Sequence, residues 1–143
     1  MEKPQETPLC ISIVVCDAIY RDARTNNLVM AGAFNEIRAT AFPACHPKMC
    51  VVFTVTNGRG KNEVALTVEH EESGVQIVEI RGPIVLDNPL QIADFDIELR
   101  GVVFPKPGKY WIAVSANGEL LAHRPILLKL VEPKVKKEDK GNA

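Results

Sequence analysis

The sequence predicts an all-β protein, an immunoglobulin-like β-sandwich of about eight mostly antiparallel strands. Three observations carry that expectation. Apolar residues recur with period two, most cleanly at Tyr110, Ile112, Val114 and Ala116, with Trp111, Ala113 and Ser115 in the other phase. Turn residues punctuate such segments, chief among them Asn117-Gly118, a pair suited to the positive φ of a type I′ hairpin turn. No stretch long enough for a helix carries the 3.6-residue period.

The elements follow in chain order. Residues 1–8 are polar and read as a disordered lead, ahead of one domain over 9–131. LCISIVVCDAI, from Leu9 to Ile19, is apolar in both phases at its centre, as a strand covered on both faces would be. YRDARTNN is a turn, and Leu28 to Phe42 holds a second strand or a bent pair, with Gly32 as a bulge or point of close approach. Pro43 to Pro47 reads as a loop because two prolines so close disrupt a ladder. Val51, Phe53 and Val55 then alternate inward, Asn57 to Gly60 turns the chain, and Val64, Leu66 and Val68 return, so residues 50–69 are expected to pair as a hairpin.

Residues 75–80 make another strand, with an irregular continuation after Gly82-Pro83. Phe95, Ile97 and Leu99 alternate with Asp94, Asp96 and Glu98, a half-buried strand with an acidic outer face. Pro105, Pro107 and Gly108 form a corner that delivers Tyr110 to the head of its strand, the setting of a tyrosine corner. Pro125 marks an edge or bulge in the last strand, and residues 132–143 read as a disordered charged tail.

Composition bounds the function. A net charge of -1 over 143 residues gives no basic excess to hold a phosphate backbone, so no nucleic-acid partner is expected. The polar amino terminus lacks the apolar segment of a signal peptide and no run approaches a membrane span, which points to the cytoplasm and to no membrane partner. Cys10, Cys16, Cys45 and Cys50 are then expected as reduced thiols.

VVCDAIYRDARTNNLVMAGAFNEI, then FPACHP, then VVFTVTNGRG, then GVVFPKPGKYWIAVSANGELLAHRPILL, resemble a family of small bacterial domains of unknown function, over most of residues 11–130. The resemblance implies a soluble β-sandwich and carries over no reaction, cofactor or catalytic residue.

Several constellations invite chemistry. Cys45, His46 and Cys50 are close in sequence and stand as metal-ligand candidates, whereas Cys10 and Cys16, six steps apart on one strand, are about 20 Å from each other. No cofactor is expected. Asp17 follows an apolar run and is expected half-buried, capping a turn or facing Arg21 or Arg38; with Cys45 and Cys50 it is the candidate for an enzymatic role, the class that the sequence favours least. His70-Glu71-Glu72 lacks the second histidine of a zinc-protease helix. Trp111, out of phase with its strand's core residues, is an interface candidate, joined on the same side by Leu127 and Val131. The expectation is a non-enzymatic protein-binding or assembly module, with a protein partner or a homo-oligomer, and the alternative is a small-molecule or metal-ion domain using loops 43–48 and 57–61.

Overall fold

The computed structural model describes residues 5–133. They form nine strands: β1 Leu9–Arg21, β2 Leu28–Ala33, β3 Glu36–Ala39, β4 Ala44–Thr56, β5 Gly60–His70, β6 Gln76–Leu86, β7 Ile92–Phe104, β8 Gly108–Ala116 and β9 Glu119–Leu130. One sheet has the order β2-β1-β4-β7 and the other β3-β9-β8-β5-β6. All pairings are antiparallel except that of β3 with β9, which is parallel. The protein is a β-sandwich.

The core fills the space between the sheets, as the alternation requires. Val15, Met49, Val51, Phe53, Val55, Leu99 and Phe104 from one sheet meet Leu66, Val68, Tyr110, Ile112, Val114, Ile126 and Leu128 from the other. Phe104 packs edge-on against Tyr110, ring centroids 5.1 Å apart and planes at 86°. Each large side chain buried to this degree contributes about 1.5–3 kcal/mol relative to exposure. The tyrosine corner is present: the Tyr110 hydroxyl donates to the Lys106 carbonyl at 2.6 Å and accepts from the Lys106 N–H at 3.2 Å. The β8–β9 turn is also as read, with Asn117 and Gly118 at φ +54° and +83°.

Four expectations are corrected. Residues 50–69 are no hairpin: β4 pairs with β1 and β7, whereas β5 pairs with β6 and β8 in the other sheet. The Asn57–Gly60 connection crosses between layers, and an arch of this kind shows the same alternation on either side as a hairpin does. Pro43–Pro47 is mostly strand, because β4 starts at Ala44, where it has run past its pairing with β1 and only β7 needs its hydrogen bonds. β6 likewise runs on through Gly82-Pro83 to Leu86 as an edge strand. The lead is tied down in part: Glu6 and Arg59 exchange backbone hydrogen bonds of 2.9 and 3.0 Å, and Gln5 donates to the Lys61 carbonyl at 2.6 Å. Of the expected charged tail, residues 134–143 lie outside the described residues, as do residues 1–4 of the lead.

Leu28 to Phe42 is the bent pair, split between the two sheets as β2 and β3. No helix among the described residues is long and apolar enough to cross a membrane.

Candidate functional site

Trp111 lies on the solvent face of the five-stranded sheet, the phase opposite to the buried Tyr110, Ile112 and Val114. It is half-buried rather than fully exposed, because its neighbours cover it. The His123 ring stacks on it at 4.2 Å between centroids and 21° between planes. Its indole N–H donates to the Glu71 carboxylate at 3.2 Å, and the Lys109 ammonium stands 5.6 Å from the ring centroid, within cation–π reach. Each of these contacts removes rotamer freedom from the indole before any partner arrives.

A bulge creates the stack. The turn pairs Ala116 with Glu119 and Ser115 with Leu120, a register that, if continued, would put Ile112 opposite His123 and send the histidine into the core phase. One extra residue on β9 after Ser115 moves the pairing to Val114–Ala122, Ala113–His123 and Trp111–Pro125. His123 then shares the face of Trp111, two residues along. Period-two reading of the sequence found Trp111 but missed His123, Glu71 and Lys109, since nothing in the alternation reports the bulge.

Of the other interface candidates, Leu127 is opposite Lys109 on the same face and partly exposed, and Val131 continues that phase just past β9, its N–H bonded to the Ala39 carbonyl at 2.9 Å. Leu127 therefore borders the Trp111 cluster, while Val131, four residues on, is about 13 Å further along the strand. Glu36 between Arg38 and Lys129 edges the patch on β3, with ion-pair distances of 2.8 and 3.1 Å.

The metal-ligand candidates do not converge. Cys45, His46 and Cys50 lie along one extended strand, opposite Val103, Val102 and Glu98 of β7. Cys45 and Cys50 point to opposite faces, and the four steps from His46 to Cys50 span about 13 Å. His46 packs its ring 5.8 Å from that of Phe34. Among the described residues no three His, Cys, Asp or Glu side chains gather where an ion could be held. Cys50 is instead directly opposite Cys16, both thiols buried. Burial pushes both above the ordinary thiol value.

Loops 43–48 and 57–61 cannot form one mouth, because residues 49–56 of β4 separate them, a span of about 30 Å. Asp17 is exposed rather than half-buried, and it packs over Gly32 instead of facing Arg21 or Arg38. Asp94 accepts from the Thr54 hydroxyl at 2.6 Å, and Glu98 pairs with Arg100 and Lys48 at 2.7 and 3.5 Å, so the acidic residues are spread along the strand and Glu98 is the one paired with cations among the described residues.

Two buried polar side chains went unread in the sequence. His70 accepts from the Ser73 N–H at Nδ1 (3.1 Å) and bonds the Pro107 carbonyl through Nε2 (3.1 Å), which fixes the Nε2–H tautomer. Asn62 donates to the carbonyls of Glu6, Arg59 and Gly60 and accepts from Asn117 at 2.8 Å. Both brace turns.

Among solved structures the chain is similar to the alkylpurine DNA glycosylase AlkC of Pseudomonas fluorescens bound to DNA containing an abasic site analog, at 13% identity and a TM-score of 0.55 over 85% of this chain and 30% of that one. It is also similar to a β-D-glucoside glucohydrolase from Trichoderma reesei, at 10% identity and a TM-score of 0.48 over 87% of this chain and 19% of that one. Both proteins are far longer than this chain, and the likeness to the glycosylase concerns the fold alone. No curated protein matches. Residues 11–129 match the family of unknown function DUF6941, and the chain belongs to that family.

Proposed function

We propose that the chain is a non-enzymatic protein-binding module that meets its partner through the face around Trp111. One observation carries the reading: the indole is held in a fixed pose on a solvent-facing sheet surface by His123, Glu71 and Lys109. A partner docking there meets an anchor whose conformational entropy is already reduced, and aromatic residues of this kind dominate interface energetics. Leu127 and Pro125 supply apolar border, and Lys109, Glu71 and Glu69 a charged one.

The sandwich is read as immunoglobulin-like. The tyrosine corner at the head of β8 supports this. A bacterial, cytoplasmic setting is part of the same proposal, and free thiols at Cys10, Cys16, Cys45 and Cys50 are in keeping with a reducing compartment.

The test uses the full chain, Trp111→Ala and Lys109→Glu as baits in a quantitative pull-down from the native cell, with circular dichroism to verify folding. Partners retained by the natural chain and lost from both folded variants are expected. Identical partner sets for all three would overturn the assignment of the binding face.

A further inference from the structure

We infer that the free edge of β6 pairs with the β6 edge of a second copy of this chain, joining two sandwiches about a two-fold axis through Ile80. The inference rests on the reading of the protein as a non-enzymatic binding module and gives it a second partner, another copy of the chain, at a surface separate from Trp111.

The backbone fixes which groups the edge offers. The Glu71 N–H bonds the Lys109 carbonyl at 2.9 Å and the Glu63 carbonyl accepts from the Asn117 N–H at 2.8 Å, both on the β8 side of β5. The His70 N–H bonds the Val75 carbonyl at 2.9 Å, on the β6 side. Odd residues of β5 therefore bond toward β8 and even ones toward β6. Through the pairs Leu66–Ile80 and Val64–Gly82 the even residues of β6 answer them. Glu79, Arg81 and Pro83 thus turn their backbone groups outward, to an edge that no described strand covers. Pro83 has its nitrogen on that edge, which explains how a proline sits in the ladder without costing β5 a bond.

The side chains make this edge self-complementary. In an antiparallel pairing centred on Ile80, Glu79 is opposite Arg81 of the second copy, and Arg81 opposite its Glu79. Those residues exchange both N–H···O=C bonds, twice over by symmetry. Two opposite-charge cross-strand pairs form on the outer face. On the core side Ile80 meets its counterpart and Val78 meets Gly82, a large side chain against a vacant position. Ile80 is 38% exposed, and beside it lies an apolar cleft of about 170 Å³ between the sheets, walled by Phe53, Leu66, Ile84, Phe95 and Ile97. A second sandwich on this edge shields both. Pro83, lacking an N–H, ends the pairing, and the two-fold arrangement consumes both edges so that no fibre propagates.

The neighbouring edge of β7 is less suited, because Asp94, Asp96 and Glu98 line its outer phase and Gly101, at φ +63°, interrupts its regular geometry.

Sedimentation of the full chain across a concentration series tests the inference. A monomer–dimer equilibrium is expected, weakened at least roughly tenfold in Glu79→Arg and in Arg81→Glu, each of which sets like charges opposite one another. The double variant Glu79→Arg/Arg81→Glu restores the dimer, and an equimolar mixture of the two single variants forms a heterodimer. A chain that stays monomeric, or a dimer indifferent to all three variants, overturns the β6 pairing. Neither result touches the module reading, which fails separately if the Trp111→Ala and Lys109→Glu baits retain every partner.

Discussion

The carboxylate of Asp17 occupies the space that a side chain at Gly32 would need: a Cβ there would lie 2.4 Å from Oδ2 and 3.0 Å from the Asp17 Cβ. Gly32 also stands at φ +73°, where an L side chain is strained. Gly32→Ala is therefore expected to lower stability by about 1–3 kcal/mol in urea unfolding. Asp17→Gly in the same background should recover only the part due to the clash. Equal stability of Gly32→Ala and the natural chain would refute this account of β1 meeting β2.

His70 braces the turn after β5 against the corner before β8, and its ring lies 4.8 Å from that of Tyr110. His70→Phe keeps the bulk but leaves the Pro107 carbonyl and the Ser73 N–H without their partner. A loss of about 1–3 kcal/mol is expected for the buried groups left unpaired, while Ser73→Ala should cost less, since the backbone N–H bond to His70 survives. Thermal unfolding of the two variants would reveal the order, and the reverse order would count against the role given to the ring.

The four thiols should separate by accessibility. Cys45 is exposed, Cys10 intermediate, and Cys16 and Cys50 buried. An aromatic disulfide reagent is expected to label Cys45 at once, Cys10 more slowly, and the opposed pair only on unfolding. Burial raises the folded pKa of Cys16 and Cys50, so their contribution to stability is intact below the ordinary thiol value of about 8.5 and is lost as pH rises through the folded values. Replacing both with alanine should flatten the alkaline limb of the stability curve. Rapid labelling of Cys16 or Cys50 in the folded protein would contradict their burial.

Acid should act through Asp22, whose carboxyl is held below its usual range by the backbone N–H groups of Arg24 and Thr25, and through three glutamates. Glu36 bonds Arg38 and Lys129, Glu79 bonds Arg81 and Gln76, and Glu98 bonds Arg100 and Lys48, and each carboxyl is held below its usual range by those partners. Between the folded and unfolded values the unfolded chain binds more protons. The stabilisation is thus present above the unfolded value of about 4.3 and disappears as pH falls through the depressed folded values. Glu79 and Glu98 are exposed and Glu36 is partly so, and the effect is small and screened by salt. Glu98→Gln should make the acid limb shallower at low ionic strength, and an unchanged limb would argue that the Arg100 pair does not persist in solution.

The strands were legible in the sequence wherever one face is core and the other solvent, as in β8, and so were the turns whose chemistry is specific, Asn117-Gly118 and the corner bonded by Tyr110. Partnership was not. Alternation tells which way Val55 and Val64 point but not whether the strands that carry them pair, and β4 and β5 proved to belong to different sheets. Prolines misled for a related reason: Pro47 and Pro83 look like breakers until it is known which strand edge needs no donor. The phase of Trp111 was legible, whereas its stack on His123 depends on one extra residue in β9.

The parallel ladder of β3 with β9 bears on how the chain is made. Glu36 through Ala39 have no strand partner among the described residues until Leu127 through Leu130 exist. A ribosome releases β3 early and its mate last, so the five-stranded sheet cannot close before nearly the whole domain has emerged. Such non-local pairing places folding toward the millisecond-to-second end of the range for small domains. Until then the β3 segment waits as an unpaired strand, and a chain cut short before Leu127 would carry that vulnerability permanently.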